Sequence, residues 1–268
     1  MKKLFAVILT VAMVAALFAG CGAKEAPATE APTAAPAAAM TVTPGKLTMA
    51  TSADFPPYEF TNDDGSFAGI DIDIAQAVAE KLGMELEVLD LGFDAALLAV
   101  QNGKSDIVLA GVSVTEDRQL VMDFSDSYAT GIQKVIIKEG SDVTMDNLGE
   151  KMIGCQKATT GYIYASDTPE NGGYGEDHVI AYEDGATAVQ ALLNGQIDCV
   201  IIDGAPAEAF VDANPGLAML DGTWVEESYA IGIAKGNAAL VEAVNAALAQ
   251  LKADGTLDAI VAKYISAE

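Results

Sequence analysis

Among 268 residues the chain has one arginine, Arg118, and one histidine, His178, and it sets 39 acids against 14 Lys plus Arg. A lone imidazole excludes metal sites and acid–base schemes that need two. Arg118 follows Thr115-Glu116-Asp117, where Thr115 suits the cap of a short helix. A planar guanidinium fork grips a carboxylate at two points, which a lysine ammonium does not. The alternative for Arg118 is a structural pair with one of the many acids. Asp203 ends the apolar run Cys199-Val200-Ile201-Ile202, where a carboxylate is costly unless a cation meets it. It suits equally the cap of a helix beginning Gly204-Ala205-Pro206. Lys157-Ala158-Thr159-Thr160-Gly161 reads as the passage from a strand into a helix, with hydroxyls and free N–H groups that welcome an anion or simply cap the helix. One cation, one anion and one anion-friendly helix start describe a site for a zwitterion.

The elements that must position these groups alternate. Leu47–Thr51 and Glu85–Val88 read as strands, Phe93–Gln101 as a helix and Asp106–Ala110 as a short buried strand. Asp71 or Asp73 can cap a helix that runs to Leu82 and stops at Gly83. Such alternation predicts an α/β body, mostly parallel sheets with helices on their faces. One stretch is written twice. Ala99-Val100-Gln101-Asn102-Gly103-Lys104-Ser105-Asp106 and its following strand match Ala191-Leu192-Leu193-Asn194-Gly195-Gln196-Ile197-Asp198 and its following strand. The echo predicts two similar lobes, although any α/β chain repeats this unit. Gly111-Val112-Ser113 and Asp203 then end equivalent strands, and ligands of open α/β sheets bind outside such carboxyl ends.

The N-terminus reads as an address. Met1-Lys2-Lys3 precedes an apolar run, Leu4–Phe18, that is shorter than the ~20 residues of a membrane-spanning helix. Leu17-Phe18-Ala19-Gly20-Cys21 resembles a lipobox, so residues 1–20 are expected to be a lipoprotein signal peptide and Cys21 the lipidated terminus. Residues 21–45, rich in Ala, Pro and Thr, read as a tether. The membrane is then touched only through the lipid anchor. A net charge of −25 leaves no basic cluster for nucleic acid or for anionic lipid. Cys155 and Cys199 are expected in adjacent parallel strands, whose geometry rarely lets two Cβ atoms converge, and so as buried free thiols.

Six stretches carry a family resemblance: Phe55-Pro56-Pro57-Tyr58-Glu59-Phe60, Gly69-Ile70-Asp71-Ile72-Asp73-Ile74-Ala75, Gly111-Val112-Ser113-Val114-Thr115-Glu116-Asp117-Arg118, Asp123-Phe124-Ser125-Asp126-Ser127-Tyr128, Ile153-Gly154-Cys155-Gln156-Lys157-Ala158-Thr159-Thr160-Gly161 and Ala253-Asp254-Gly255-Thr256-Leu257-Asp258. In this order, over about residues 46–266, they resemble the family 3 extracellular solute-binding proteins of bacterial ABC importers, the type II group for polar amino acids. The resemblance implies a two-lobed periplasmic-binding-protein type II fold, with lobe 1 at 46–129 plus 225–268 and lobe 2 at 133–222. Two hinge crossovers follow, near Ala129-Thr130-Gly131 and Gly222-Thr223-Trp224. It implies roles as well. Arg118, with Ser113 and Thr160, would hold a ligand α-carboxylate. Asp203, with Ser113 and the Gly111 carbonyl, would hold the α-ammonium. Phe55 and Phe93 would line the side-chain space, unless they are plain core, and Ser52 would read the side chain. Ala158 stands where relatives commonly have Gly.

The expected protein is thus an exported monomer, either anchored on the outer face of the cytoplasmic membrane or periplasmic. It delivers an amino acid to the membrane subunits of an ABC permease, without cofactor, metal or nucleic acid. Ser52 offers one hydrogen bond each way and favours a neutral polar ligand, with basic ones next. Acidic ligands are excluded, because Lys157 is the only further cation near the site and the protein's field repels a second carboxylate. The other classes are a cleft enzyme of the same fold, dehydratase-like, with Glu59 as general acid, and a ligand-sensing module.

Overall fold

The computed structural model describes residues 40–265; the expected signal peptide (1–20), the expected lipidation site Cys21 and the stretch up to residue 39 lie outside the described residues. The elements run β1 (Lys46–Thr51), β2 (Asp54–Phe55), β3 (Glu59–Thr61), β4 (Phe67–Ala68), α1 (Ile70–Leu82), β5 (Glu85–Asp90), α2 (Phe93–Gln101), β6 (Ile107–Val108), α3 (Glu116–Val121) and β7 (Met122–Lys138). They continue with β8 (Ile153–Gln156), α4 (Thr160–Ser166), β9 (Val179–Tyr182), α5 (Gly185–Leu193), β10 (Cys199–Asp203), α6 (Gly204–Ala213), β11 (Leu217–Met219), β12 (Val225–Ala234), α7 (Ala238–Ala253) and α8 (Thr256–Tyr264). The fold is the type II periplasmic-binding-protein α/β architecture.

The main sheet has the order β5-β1-β6-β12-β7-β10-β8-β9, with β11 on the edge of β7. It is symmetric about its centre. Outward from β12 lie β6, β1 and β5; outward from β7 lie β10, β8 and β9. Within each outer trio the pairings are parallel, while β12 and β7 pair antiparallel with each other and with the trio beside them. β7 and β12 are therefore the strands that both halves share.

The repeated stretch is reproduced bond for bond. Gly103 (φ 65°) and Gly195 (φ 73°) turn the chain out of α2 and α5 in the left-handed conformation that glycine adopts freely. Asp106 N–H then donates to Thr48 O and Asp198 N–H to Met152 O. In return, Thr48 N–H donates to the Asp106 carboxylate at 2.8 Å and Met152 N–H to that of Asp198 at 2.8 Å. Each aspartate thus ties its returning strand to the first strand of its own half. Asp106 also accepts from Val42 N–H, and Met40 O accepts from the Asn237 side chain, so the end of the Ala/Pro/Thr stretch is bonded to the body.

Strand alternation decides what faces where. In β10, Cys199 and Ile201 join one core with Val135, Ile153 and Cys155, while Val200 and Ile202 join another with Ala188, Val189 and Leu192. A strand buried on both faces reads as the continuous apolar run seen in the sequence. By the same period of two, Asp203 continues the Cys199–Ile201 face. One expectation fails here. α1 begins after Gly69, no side chain caps it, and Asp71 is wholly buried. Acids in a first helical turn usually face solvent, but Asp71 is turned inward to donors described below, and Asp73 pairs instead with Lys263 and Tyr264.

Cys155 and Cys199 are free and buried, on adjacent parallel strands where Cys199 pairs with Ile153 and not with Cys155. Burial pushes the Cys199 thiol up to about 12 and Cys155 higher still, so neither is a ready thiolate at neutral pH. A soluble body starting after Cys21 is expected to react with a thiol reagent only after unfolding, and then at two sites without prior reduction; zero sites would show a disulfide.

Candidate functional site

The carboxyl ends of β1, β6, β8 and β10 converge on one cavity. Ser52, Phe55, Phe93, Gly111, Ser113, Arg118, Thr160 and Asp203, the residues singled out in the sequence, all line it. Asp54, Glu59, Ala110, Gln156 and Thr159 complete the wall.

Arg118 is placed by α3. Thr115 caps that helix, its Oγ1 accepting from Arg118 N–H at 3.2 Å. The guanidinium is buried, donates from Nη1 to Ser113 O (2.8 Å) and from Nη2 to Ala158 O (3.0 Å), and lies 5.5 Å from the centroid of the Phe93 ring. Of its five N–H donors, two serve the backbone. The Ala158 carbonyl is aimed by a left-handed backbone, φ 61°, which explains why a glycine is the easier residue at that position. Arg118 and Ala158 belong to opposite halves of the sheet, and Lys157 makes a second link across, with Asp94 at 3.2 Å and with Glu183. Lys157, the one further cation weighed for the site, is thus occupied outside the cavity wall.

Asp203 is carried to the cavity by β10. It occupies the N-cap position of α6, but its side chain makes no cap bond; Oδ2 accepts from Gln133 Nε2 at 2.8 Å, its cross-strand partner on β7. Its Oδ1 is buried without a donor. Burial first, and then the charge of Glu227, push its carboxyl up to about 8. Gly111 takes φ 54° at the end of β6; a Cβ there would stand 3.1 Å from the Phe55 ring. Ser52 Oγ donates to Asp54 at 3.0 Å, and burial raises the Asp54 carboxyl above its usual range.

Two residues bonded to the cavity groups escaped the sequence reading, Glu227 and Gln133. Glu227 Oε2 accepts from Ser113 Oγ (3.1 Å), Thr160 Oγ1 (2.8 Å) and Gln133 Nε2 (3.0 Å), gathering the hydroxyls that were assigned to a ligand carboxylate. Glu227 stands opposite Gly131 on the central strand pair, and Gly131 is glycine because a Cβ there would lie 2.3 Å from the buried Tyr229 ring. The available signal was the alternation of β12, which buries Glu227 and Tyr229 together while Glu226 and Ser228 face out.

Against known families, residues 47–267 match the model for bacterial extracellular solute-binding proteins, family 3. The chain belongs to this family. A probable histidine-binding protein of Neisseria gonorrhoeae is 32% identical over 274 residues, covering 100% of this chain and 97% of that one. The glutamine-binding protein of a Bacillus subtilis ABC transporter is 29% identical over 99% of this chain and 98% of its own. A solved ancestral arginine-binding protein bound to glutamine is 36% identical, with a TM-score of 0.77 over 83% of this chain and 99% of its own. These family 3 relatives are binding proteins, and the family is an extracellular one.

Proposed function

We propose that this protein is the solute-binding component of an ABC amino-acid importer and that its ligand is a cationic L-amino acid, held as a zwitterion in the cavity. The observation that carries the side-chain class is the lining charge: one guanidinium, Arg118, against the carboxyls of Asp54, Glu59 and Asp203. In this reading Arg118, with Thr160 and Ser113, takes the α-carboxylate. Asp203 takes the α-ammonium, helped by the Gly111 carbonyl; its donorless Oδ1 supports that role. Phe55 and Phe93 flank the ligand. Asp54 and Glu59 then remain beside Ser52 at the side-chain end, and this second negative group moves the choice from the neutral polar class that Ser52 alone favoured to the basic one. Relatives named for histidine, arginine and glutamine span both classes.

Residues 46–129 plus 225–268 and residues 133–222 act in this reading as lobes that close over the ligand, bending where β7 and β12 pass between them. The links Arg118–Ala158 and Lys157–Asp94 support a closed form. A ligand shifts such an equilibrium by its differential affinity for the closed form, which is the signal a permease would read. The body works as a monomer, tethered through a lipid on Cys21. It is a binder and not an enzyme, which a turnover assay on the ligand panel checks.

The ligand class is tested by thermal shift against all amino acids. A ligand at 100 times its Kd adds about 2.7 kcal/mol. L-arginine and L-lysine are expected to raise Tm most and L-glutamine less; L-glutamate and L-aspartate should not raise it. Micromolar binding of either acid would show the charge argument to be wrong.

A further inference from the structure

Behind the cavity wall two carboxyls meet. Glu59, which lines the cavity, is 1% exposed, and Asp71 is wholly buried. Asp71 Oδ2 accepts from Gly111 N–H at 2.8 Å and from Tyr128 Oη–H at 2.8 Å. Asp71 Oδ1 and Glu59 Oε2 are both buried, and no donor among the described residues reaches either. The backbone brings the two residues together, Asp71 N–H donating to Tyr58 O at 2.8 Å next to Glu59. Two ionised carboxylates buried side by side repel each other and can only accept, so one proton between them relieves the pair. The two donors already on Asp71 favour its charge, which leaves the proton on Glu59.

The surroundings agree. The other titratable groups that act on Glu59 are also acids, Asp54 from β2 and Asp203 from β10, and the phenol of Tyr128 is bonded to Asp71. The Arg118 guanidinium donates to the Ser113 and Ala158 carbonyls instead. Burial, and then the charge of Asp71, hold the Glu59 carboxyl well above the usual range, while Asp71 is raised to about 6. The pair titrates as a unit.

We propose that Glu59 and Asp71 share one proton until the side-chain cation of the ligand takes its place at Glu59, so that uptake of a cationic amino acid exchanges that cation for the proton. The proposal rests on the amino-acid reading of the cavity. The displaced proton leaves to solvent, and the guanidinium or ammonium becomes the positive charge that keeps Glu59 ionised. A neutral amide side chain leaves the proton where it is and meets a neutral carboxyl, its one O–H already turned to Asp71. Glu59 is then the specificity-determining residue, and preference for a cation over an amide grows with pH.

The test is isothermal calorimetry of the full-length protein with L-arginine and with L-glutamine, each in phosphate and in Tris at neutral pH. The dependence of the heat on buffer counts the protons released. Either ligand releases protons through Asp203, so the difference between ligands isolates Glu59. L-arginine is expected to release about one proton more than L-glutamine. Equal release, or binding of L-glutamine without L-arginine, overturns the exchange. A second measurement needs no ligand. The infrared difference spectrum of wild type minus Glu59→Gln should show a carboxylic-acid carbonyl band, and its absence overturns the shared proton. If neither amino acid binds, the exchange falls together with the importer reading, and the infrared band still decides the proton pair separately.

Discussion

Arg118→Ala is expected to raise the Kd for L-arginine by roughly thirtyfold to several thousandfold, the range that follows from about 2–5 kcal/mol for truncating one member of a buried charge pair. The size of the effect comes from burial. The guanidinium is 7% exposed, so without it a ligand carboxylate has no cation and little water. Ser113 and Thr160 cannot compensate, because neutral hydroxyls bring no charge and must first leave Glu227 to reach the ligand. Arg118→Lys restores the charge but not the fork, and cannot meet the Ser113 carbonyl, the Ala158 carbonyl and a carboxylate at once. Its affinity should fall between those of wild type and Arg118→Ala. Calorimetry showing less than a tenfold change for Arg118→Ala would remove Arg118 from the site.

The sequence told most about residues whose role is set by local chain geometry. Arg118, Thr160 and Asp203 each stand where a strand gives way to a turn or helix, and that junction is visible as a cap, a hydroxyl pair or the end of an apolar run. The duplicated Asn-Gly turn located both halves of the sheet, because Asp106 and Asp198 follow the glycine that turns the chain by three residues, although their bonds run to Thr48 and Met152. Residues placed by register between distant strands left no such trace. Glu227 meets Ser113 and Thr160 only because β12 pairs with β7 at Gly131. Gln133 reaches Asp203 only because β7 and β10 are aligned at those positions. Asp71 misled for the opposite reason. A helix-start acid has a ready local explanation, whereas Gly111 N–H and Tyr128 Oη–H, its donors in the fold, come from 40 and 57 residues away. The ligand side chain was hard to read for the same cause, since Glu59 gains its meaning from Asp71 behind it.

Asp203→Asn should weaken L-arginine by roughly 10- to 100-fold while leaving its deamino analogue within about threefold of wild type, since an amide dipole replaces the charge that faces the ammonium. The pH dependence separates this role from that of a helix cap. With its carboxyl raised to about 8, Asp203 is largely protonated before ligand binds at neutral pH, and an ammonium requires it ionised. Affinity for L-glutamine, whose side chain adds no charge of its own, should therefore rise with pH by up to about tenfold per unit below 8 and level off above it. In Asp203→Asn that rise should disappear. Stability of the ligand-free protein runs the other way. Between 3.8, the ordinary value, and about 8, the unfolded chain has lost the Asp203 proton and the folded chain keeps it, so this group's contribution to stability falls as pH increases through that window. Thermal melts across the window should show the loss in wild type and a smaller one in Asp203→Asn. A cap residue would weaken the amino acid and its deamino analogue equally and leave the pH profile of binding unchanged; that pair of results would take Asp203 out of ammonium recognition and leave it as the residue that starts α6.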